Sequence, residues 1–106
     1  MEIQYLNENK VLLLKITDEL DHHVVEKLRR RADYEIEKYI PRKVIFDFDN
    51  VTFMDSAGIG LILGRYKNIC SLGGKLEMIN VSETVNKILI MSGVNKLIDI
   101  NKEECA

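Results

Sequence analysis

The run Val44-Ile45-Phe46-Asp47-Phe48-Asp49-Asn50, and the segment Phe53-Met54-Asp55-Ser56-Ala57-Gly58-Ile59-Gly60 just beyond it, decide the fold class. Val44 to Phe48 is a compact apolar run, read as an inner strand, and Asp49-Asn50 break it. Ser56 to Leu72 then reads as a helix, with Ile59, Leu63, Tyr66 and Cys70 on one face. Gly73-Gly74 stop that helix. A buried strand feeding directly into a helix points to an alternating α/β chain.

Working outward supports the same class. Ile3 to Leu6 and Val11 to Ile16 are apolar-rich strands around Asn7-Glu8-Asn9, a pattern that predicts a β-hairpin with left-handed backbone at an asparagine. Asp21 is placed to cap a helix whose Val25, Leu28, Ala32, Ile36 and Tyr39 recur at spacings of three and four, and Pro41 ends it. Lys75 to Ile79 is a further strand. Ser82 caps a third helix with Val85, Ile88 and Leu89 inward, which ends at Gly93. Leu97 to Ile100 is the last strand, and Asn101 to Ala106 is a polar, frayed tail. The predicted order is β-β-α-β-α-β-α-β, an α/β domain spanning residues 1–106 with a mixed, mostly parallel sheet and right-handed crossovers.

Composition excludes several classes of function. At 106 residues there is room for one core and no two-halved enzyme fold. The net charge of -2, with Arg29-Arg30-Arg31 as the one tight basic run, does not supply the basic face that nucleic acid requires. Apolar runs such as Val11 to Leu14 are far too short for a membrane span, and no leader pattern follows Met1. Cys70 and Cys105 are too few for a disulfide framework, so the chain reads as cytoplasmic with reduced thiols.

The unusual chemistry lies at Asp55-Ser56, an acid and a hydroxyl where a helix starts. Either side chain can simply cap the helix. The same geometry also suits phosphorylation of Ser56, because a helix N-terminus tolerates a phosphate. A phosphate would add roughly -1.5 to -2 charges to an exposed surface, beside Asp55. Gly58 and Gly60 keep the neighbourhood flat, so that another protein's backbone can come close.

Other motifs are weaker. Gly58-x-Gly60-x-x-x-Gly64 opens a helix like a dinucleotide fingerprint, but the chain cannot supply the doubly wound sheet that this motif serves. The order Ser-x-Gly-x-Gly is not a nucleophile elbow. Asp47-x-Asp49 after an apolar run resembles the first motif of haloacid dehalogenase-type phosphatases, with Asp47 as nucleophile, yet no paired acids follow at a later strand end to hold magnesium. His22-His23 are adjacent on a helix entry, point about 100° apart, and chelate one metal ion poorly. Helix-entry residues in contact with a partner is the more economical reading.

Asp55-Ser56-Ala57-Gly58-Ile59-Gly60 resembles the phosphorylation-site motif of STAS-domain anti-sigma factor antagonists. Leu20-Asp21-His22-His23, Leu63-Gly64-Arg65-Tyr66-Lys67, Gly73-Gly74-Lys75 and Met91-Ser92-Gly93-Val94 extend the match over nearly the whole chain. The His-His pair and the Gly-Arg-Tyr-Lys segment are similar to the sporulation branch, the anti-sigma F factor antagonists. The resemblance implies a STAS fold and a regulator that is not an enzyme. In its unphosphorylated form it binds an anti-sigma factor that is also a serine kinase, and so releases the sigma factor. The kinase phosphorylates Ser56, and a PP2C-type phosphatase resets it. The nucleotide belongs to the kinase, so no cofactor and no metal are implied here.

Ser56 matches the acceptor, Asp55 and Gly58 its flanks, and Asp21 a loop position beside the site; His22, Ala57, Ile59 and Gly60 complete the implied partner-binding set. Ala57 stands where many relatives carry a second serine, which leaves Ser56 as the local acceptor. Relatives often continue into a last helix beyond the position of Ala106. A STAS module of another pathway, such as a general stress cascade or a transporter-associated domain, is the alternative reading.

Overall fold

The computed structural model describes residues 1–102. Five strands form one sheet in the order β1 (Glu2–Leu6), β2 (Val11–Lys15), β3 (Lys43–Asp47), β4 (Lys75–Val81), β5 (Asp99–Lys102). β1 and β2 are antiparallel, with Ile3 opposite Leu14, and every other neighbouring pair is parallel. The helices α1 (Val25–Tyr39), α2 (Ser56–Ser71) and α3 (Glu83–Ser92) lie on the crossovers between parallel strands, which cannot be joined by a tight turn. The element order is the one expected, with a short 3₁₀ turn at Val94–Lys96 before β5.

Alternation along the strands decides where the core lies. Leu12, Leu14, Val44, Phe46, Leu76 and Met78 point to one side and are buried. There they meet Leu28, Ala32 and Ile36 of α1, Ile62 and Ile69 of α2, and Val85 and Leu89 of α3 in a single cluster. The opposite side of the sheet carries Lys15, Lys43, Asp47 and Glu77 among half-buried residues, and Lys43 pairs with Glu77 across β3 and β4.

Several expected details shift. The left-handed residue of the β1–β2 turn is Lys10 (φ 55°), and neither asparagine takes that conformation. Asp21 does not cap α1 itself: its carboxylate accepts from the N–H groups of His23 (2.9 Å) and Val24 (3.2 Å), closing a turn that leads into a helix beginning at Val25. The capping chemistry is present, one turn early. The last strand starts at Asp99, because Leu97 follows the 3₁₀ turn and is exposed. Asn101 and Lys102 belong to β5, and the rest of the expected frayed tail lies outside the described residues.

The largest correction concerns α2. Its buried stripe is Gly58, Leu61, Ile62, Arg65 and Ile69, while Ile59, Leu63 and Tyr66 are only partly buried and Cys70 is exposed. Two apolar stripes run along this helix, and the charge of Arg65 disguises the one that faces the core. Arg65 is buried because its Nε lies 2.7 Å from Asp33 Oδ1 on α1 and its Nη1 donates to the Leu61 carbonyl at 3.2 Å. The Nε contact is off-line for a hydrogen bond, so it is ionic in character. Burial pulls the guanidinium below its ordinary pKa, and Asp33 opposes that shift. In α3, likewise, Ile88 is half-buried and Asn86 takes an inward position beside Val85 and Leu89.

Candidate functional site

The site is built where two loops at the C-terminal ends of β2 and β3 run side by side. Leu20 and Met54 form an isolated parallel bridge, and the Asp55 N–H donates to the Leu20 carbonyl at 3.3 Å. The carboxylate of Glu19 fastens the second loop to the first. It accepts from the Thr52 N–H (3.3 Å), the Thr52 hydroxyl (2.8 Å) and the Phe53 N–H (3.1 Å). Leu20 and Met54 are buried, so the two loops share a small apolar floor continuous with the main core.

On that floor α2 begins. A Cβ added at Gly58 would lie 2.9 Å from Met54 Cβ and 3.2 Å from Leu20 Cβ, so only glycine lets the first turn settle against both loops. Asp55 is the N-cap. Its backbone is extended, and Oδ1 accepts from the Ala57 N–H at 2.9 Å. Ser56 follows as the first helical residue. It is exposed, and among the described residues its hydroxyl has no hydrogen-bond partner. Of the two residues that the sequence offers as caps, Asp55 performs the capping.

The other expected contact residues gather here. His22 is exposed, with Nδ1 3.9 Å from Asp55 Oδ2, and its ring lies 4.0 Å from that of His23. Asp21, half-buried, holds the turn that presents both histidines. Ala57 and Ile59 are half-buried, while Gly60 is exposed with open space around it. Asp47 is not part of this cluster. Its Oδ1 accepts from the Asp49 N–H at 3.0 Å and from Asn80 Nδ2 at 3.1 Å, which ties the ends of β3 and β4 together.

Of the apolar rim, sequence reading placed only Ile59 in the partner-binding set. Phe53 is 59% exposed and Met91, on α3, is 88% exposed. With Ile59 and Ile88 they wall a shallow groove of about 420 Å³ that opens beside Ser56. The α3 residues could not be placed here from spacing alone, because the contact joins segments far apart in the chain.

The STAS domain family model matches residues 2–104. The chain belongs to the STAS domain family. As a STAS domain it is similar to the anti-sigma F factor antagonist of Paenibacillus polymyxa, with 35% identity over 98% of this chain and 89% of the relative. It is also similar to the anti-sigma F factor antagonist of Lysinibacillus sphaericus, with 30% identity over 90% of this chain and 82% of the relative. Among solved structures, the anti-sigma factor antagonist SpoIIAA in its unphosphorylated form superimposes with a TM-score of 0.79 at 29% identity, covering 96% of this chain and 88% of that one. The phosphorylated form of the Bacillus cell fate determinant SpoIIAA gives 0.71 at 28% identity, covering 96% and 91%. None of these names is that of an enzyme. In the described residues of this STAS domain, no helix is long and apolar enough to cross a membrane.

Proposed function

We propose that this protein is an anti-sigma factor antagonist working as a phosphorylation switch on Ser56, within residues 1–106 as one domain. Unphosphorylated, it binds an anti-sigma factor that is also a serine kinase and so frees a sigma factor, of the sigma F type. The kinase transfers the γ-phosphoryl of ATP to the Ser56 hydroxyl, the complex dissociates, and a PP2C-type phosphatase hydrolyses the phosphoserine. The setting is the cytoplasm, and the protein supplies a surface rather than catalysis.

One observation carries this reading: Asp55 caps α2, and the adjacent Ser56, exposed at the helix N-terminus, has no hydrogen-bond partner for its hydroxyl among the described residues. A phosphate there meets the positive end of the helix, so it adds charge without unfolding the element. Release therefore acts at the interface, through roughly -1.5 to -2 new charges beside Asp55 and Gly58. The sigma F assignment draws support from relatives of that name at 35% and 30% identity, against 24% for the anti-sigma-B factor antagonist of Staphylococcus aureus.

The test is mass spectrometry after incubation with an anti-sigma F-type kinase and ATP, coupled to a binding measurement. A single phosphate on Ser56 with loss of binding is the expected result; Ser56→Ala is expected to bind and remain unmodified. Phosphate elsewhere, or a phosphorylated form that binds as before, would overturn the switch. Tighter binding to a stress-type kinase would move the protein to the sigma B pathway.

A further inference from the structure

The groove beside Ser56 joins two elements that the sequence keeps apart. Asp55 and Ser56 form one edge, and Phe53, Ile59, Ile88 and Met91 form its apolar wall. Phe53, 59% exposed, and Met91, 88% exposed, line the same groove, and neither belongs to the core. Adjacent exposed apolar side chains of this kind mark interaction surfaces. Among the described residues Asp55 is the one charged group lining the groove; it stands at the edge, with Oδ1 accepting from the Ala57 N–H and Oδ2 3.9 Å from His22 Nδ1, and the apolar wall itself carries no charge.

A kinase that brings the γ-phosphoryl of ATP to the Ser56 hydroxyl must sit directly over this groove, because Ser56 is part of its rim. The wall offers such a partner apolar area and almost no charge. We propose that the groove receives an uncharged apolar or aromatic anchor side chain of the anti-sigma kinase, so that the docking surface extends from Ser56 across to Met91 on α3. This rests on the reading of the chain as an anti-sigma factor antagonist. It also supplies a reason for release. A phosphate on Ser56 brings its charge and its hydration shell to the mouth of an apolar slot, and the anchor can then be buried only by stripping water from that phosphate.

The experiment compares wild type, Met91→Lys, Met91→Glu and Phe53→Ser for affinity to a purified anti-sigma F-type kinase, with Tyr34→Ser, an exposed position on α1 outside the groove, as the control. Met91 is 88% exposed, so its variants are expected to keep the wild-type unfolding temperature. Each groove variant is expected to lose about tenfold or more in affinity, as at an anchor position. The two Met91 variants should lose alike, since the occupant is uncharged. Wild-type affinity in the Met91 variants would overturn the groove while leaving the switch standing. Loss with only one sign of charge would overturn the uncharged anchor. No binding by the wild type would overturn both this proposal and the function it rests on. Light scattering of the protein alone supplies the remaining arm: a dimer dispersed by Met91→Lys would make a second copy the occupant and overturn the kinase anchor.

Discussion

Gly58 sits so close to Met54 that a Cβ on the glycine would lie 2.9 Å from the Cβ of Met54. The neighbouring atom belongs to the root of a buried side chain and cannot swing aside, and Leu20 Cβ at 3.2 Å closes the other direction. Gly58→Ala is therefore expected to push the first turn of α2 off the two loops. Overpacking of this kind costs about 1–3 kcal/mol. For a domain of this size, that lowers the melting temperature by several degrees per kcal/mol, roughly 4–8 °C. Gly60→Ala, with open space around it, is the control and should leave stability unchanged or raise it slightly. Thermal unfolding of the two variants checks the contrast.

Local signals told the truth where they were strong. Gly93, at φ 82°, ends α3, and the αL residue Ile40 before Pro41 ends α1, both near the positions that turn and cap chemistry indicate. The stripe Leu28, Ala32, Ile36 was legible because α1 has one apolar face. α2 was misread because Ile59, Leu63 and Tyr66 share the spacing of a buried face, while the true face contains Arg65. Its partner Asp33 is on another helix, and no local pattern announces that pairing. At the site, Asp55, Ser56 and Gly58 were legible as a helix start. Glu19, Phe53 and Met91 were not, because their roles depend on which loops and helices the sheet brings together.

The Asp33–Arg65 pair predicts an asymmetric cost. Arg65 is 7% exposed, and Asp33 Oδ1 is the carboxylate oxygen 2.7 Å from its Nε. Asp33 also accepts from Asn68 Nδ2 at 3.2 Å, which adds a second tie between α1 and α2. Asp33→Ala leaves a buried guanidinium without its counter-charge, a loss on the order of 3 kcal/mol for a buried pair. Replacing both residues, as Asp33→Leu with Arg65→Met, should recover most of that loss by removing the charge as well as its partner. Chemical denaturation of the single and double variants measures the difference; equal destabilisation by both would mean that packing, not charge, dominates there.

Glu19 predicts a local effect. Its carboxylate takes three hydrogen bonds from Thr52 and Phe53, and these hold the loop that leads to Asp55. Glu19→Ala is expected to free the Thr52 and Phe53 amides, so that their hydrogen exchange speeds up while that of the β3 amides does not. The global loss should be modest, about 1–2 kcal/mol, since water can replace an exposed carboxylate. Affinity for the anti-sigma partner should fall further than stability does, because Phe53 and Ser56 lose their fixed relation. Unchanged exchange at those two amides would show that the Leu20–Met54 bridge alone holds the loop.

The last prediction separates the two adjacent residues that begin α2. Asp55 Oδ1 accepts from the Ala57 N–H at 2.9 Å, whereas the exposed Ser56 side chain adds no cap. Asp55→Ala is thus expected to cost about 1 kcal/mol of stability, the usual loss for an N-cap carboxylate. Ser56→Ala should fall within about 0.5 kcal/mol of wild type, as for an ordinary surface position. Binding should show a different order. Ser56→Ala keeps full affinity and abolishes the response to ATP, while Ser56→Asp weakens affinity without reproducing the full effect of phosphate, since one carboxylate carries less charge. Paired denaturation and titration of the three variants reads both quantities. If Ser56→Ala proved as destabilising as Asp55→Ala, the serine would be a structural element of the helix start, and its exposed hydroxyl would no longer be evidence for a switch.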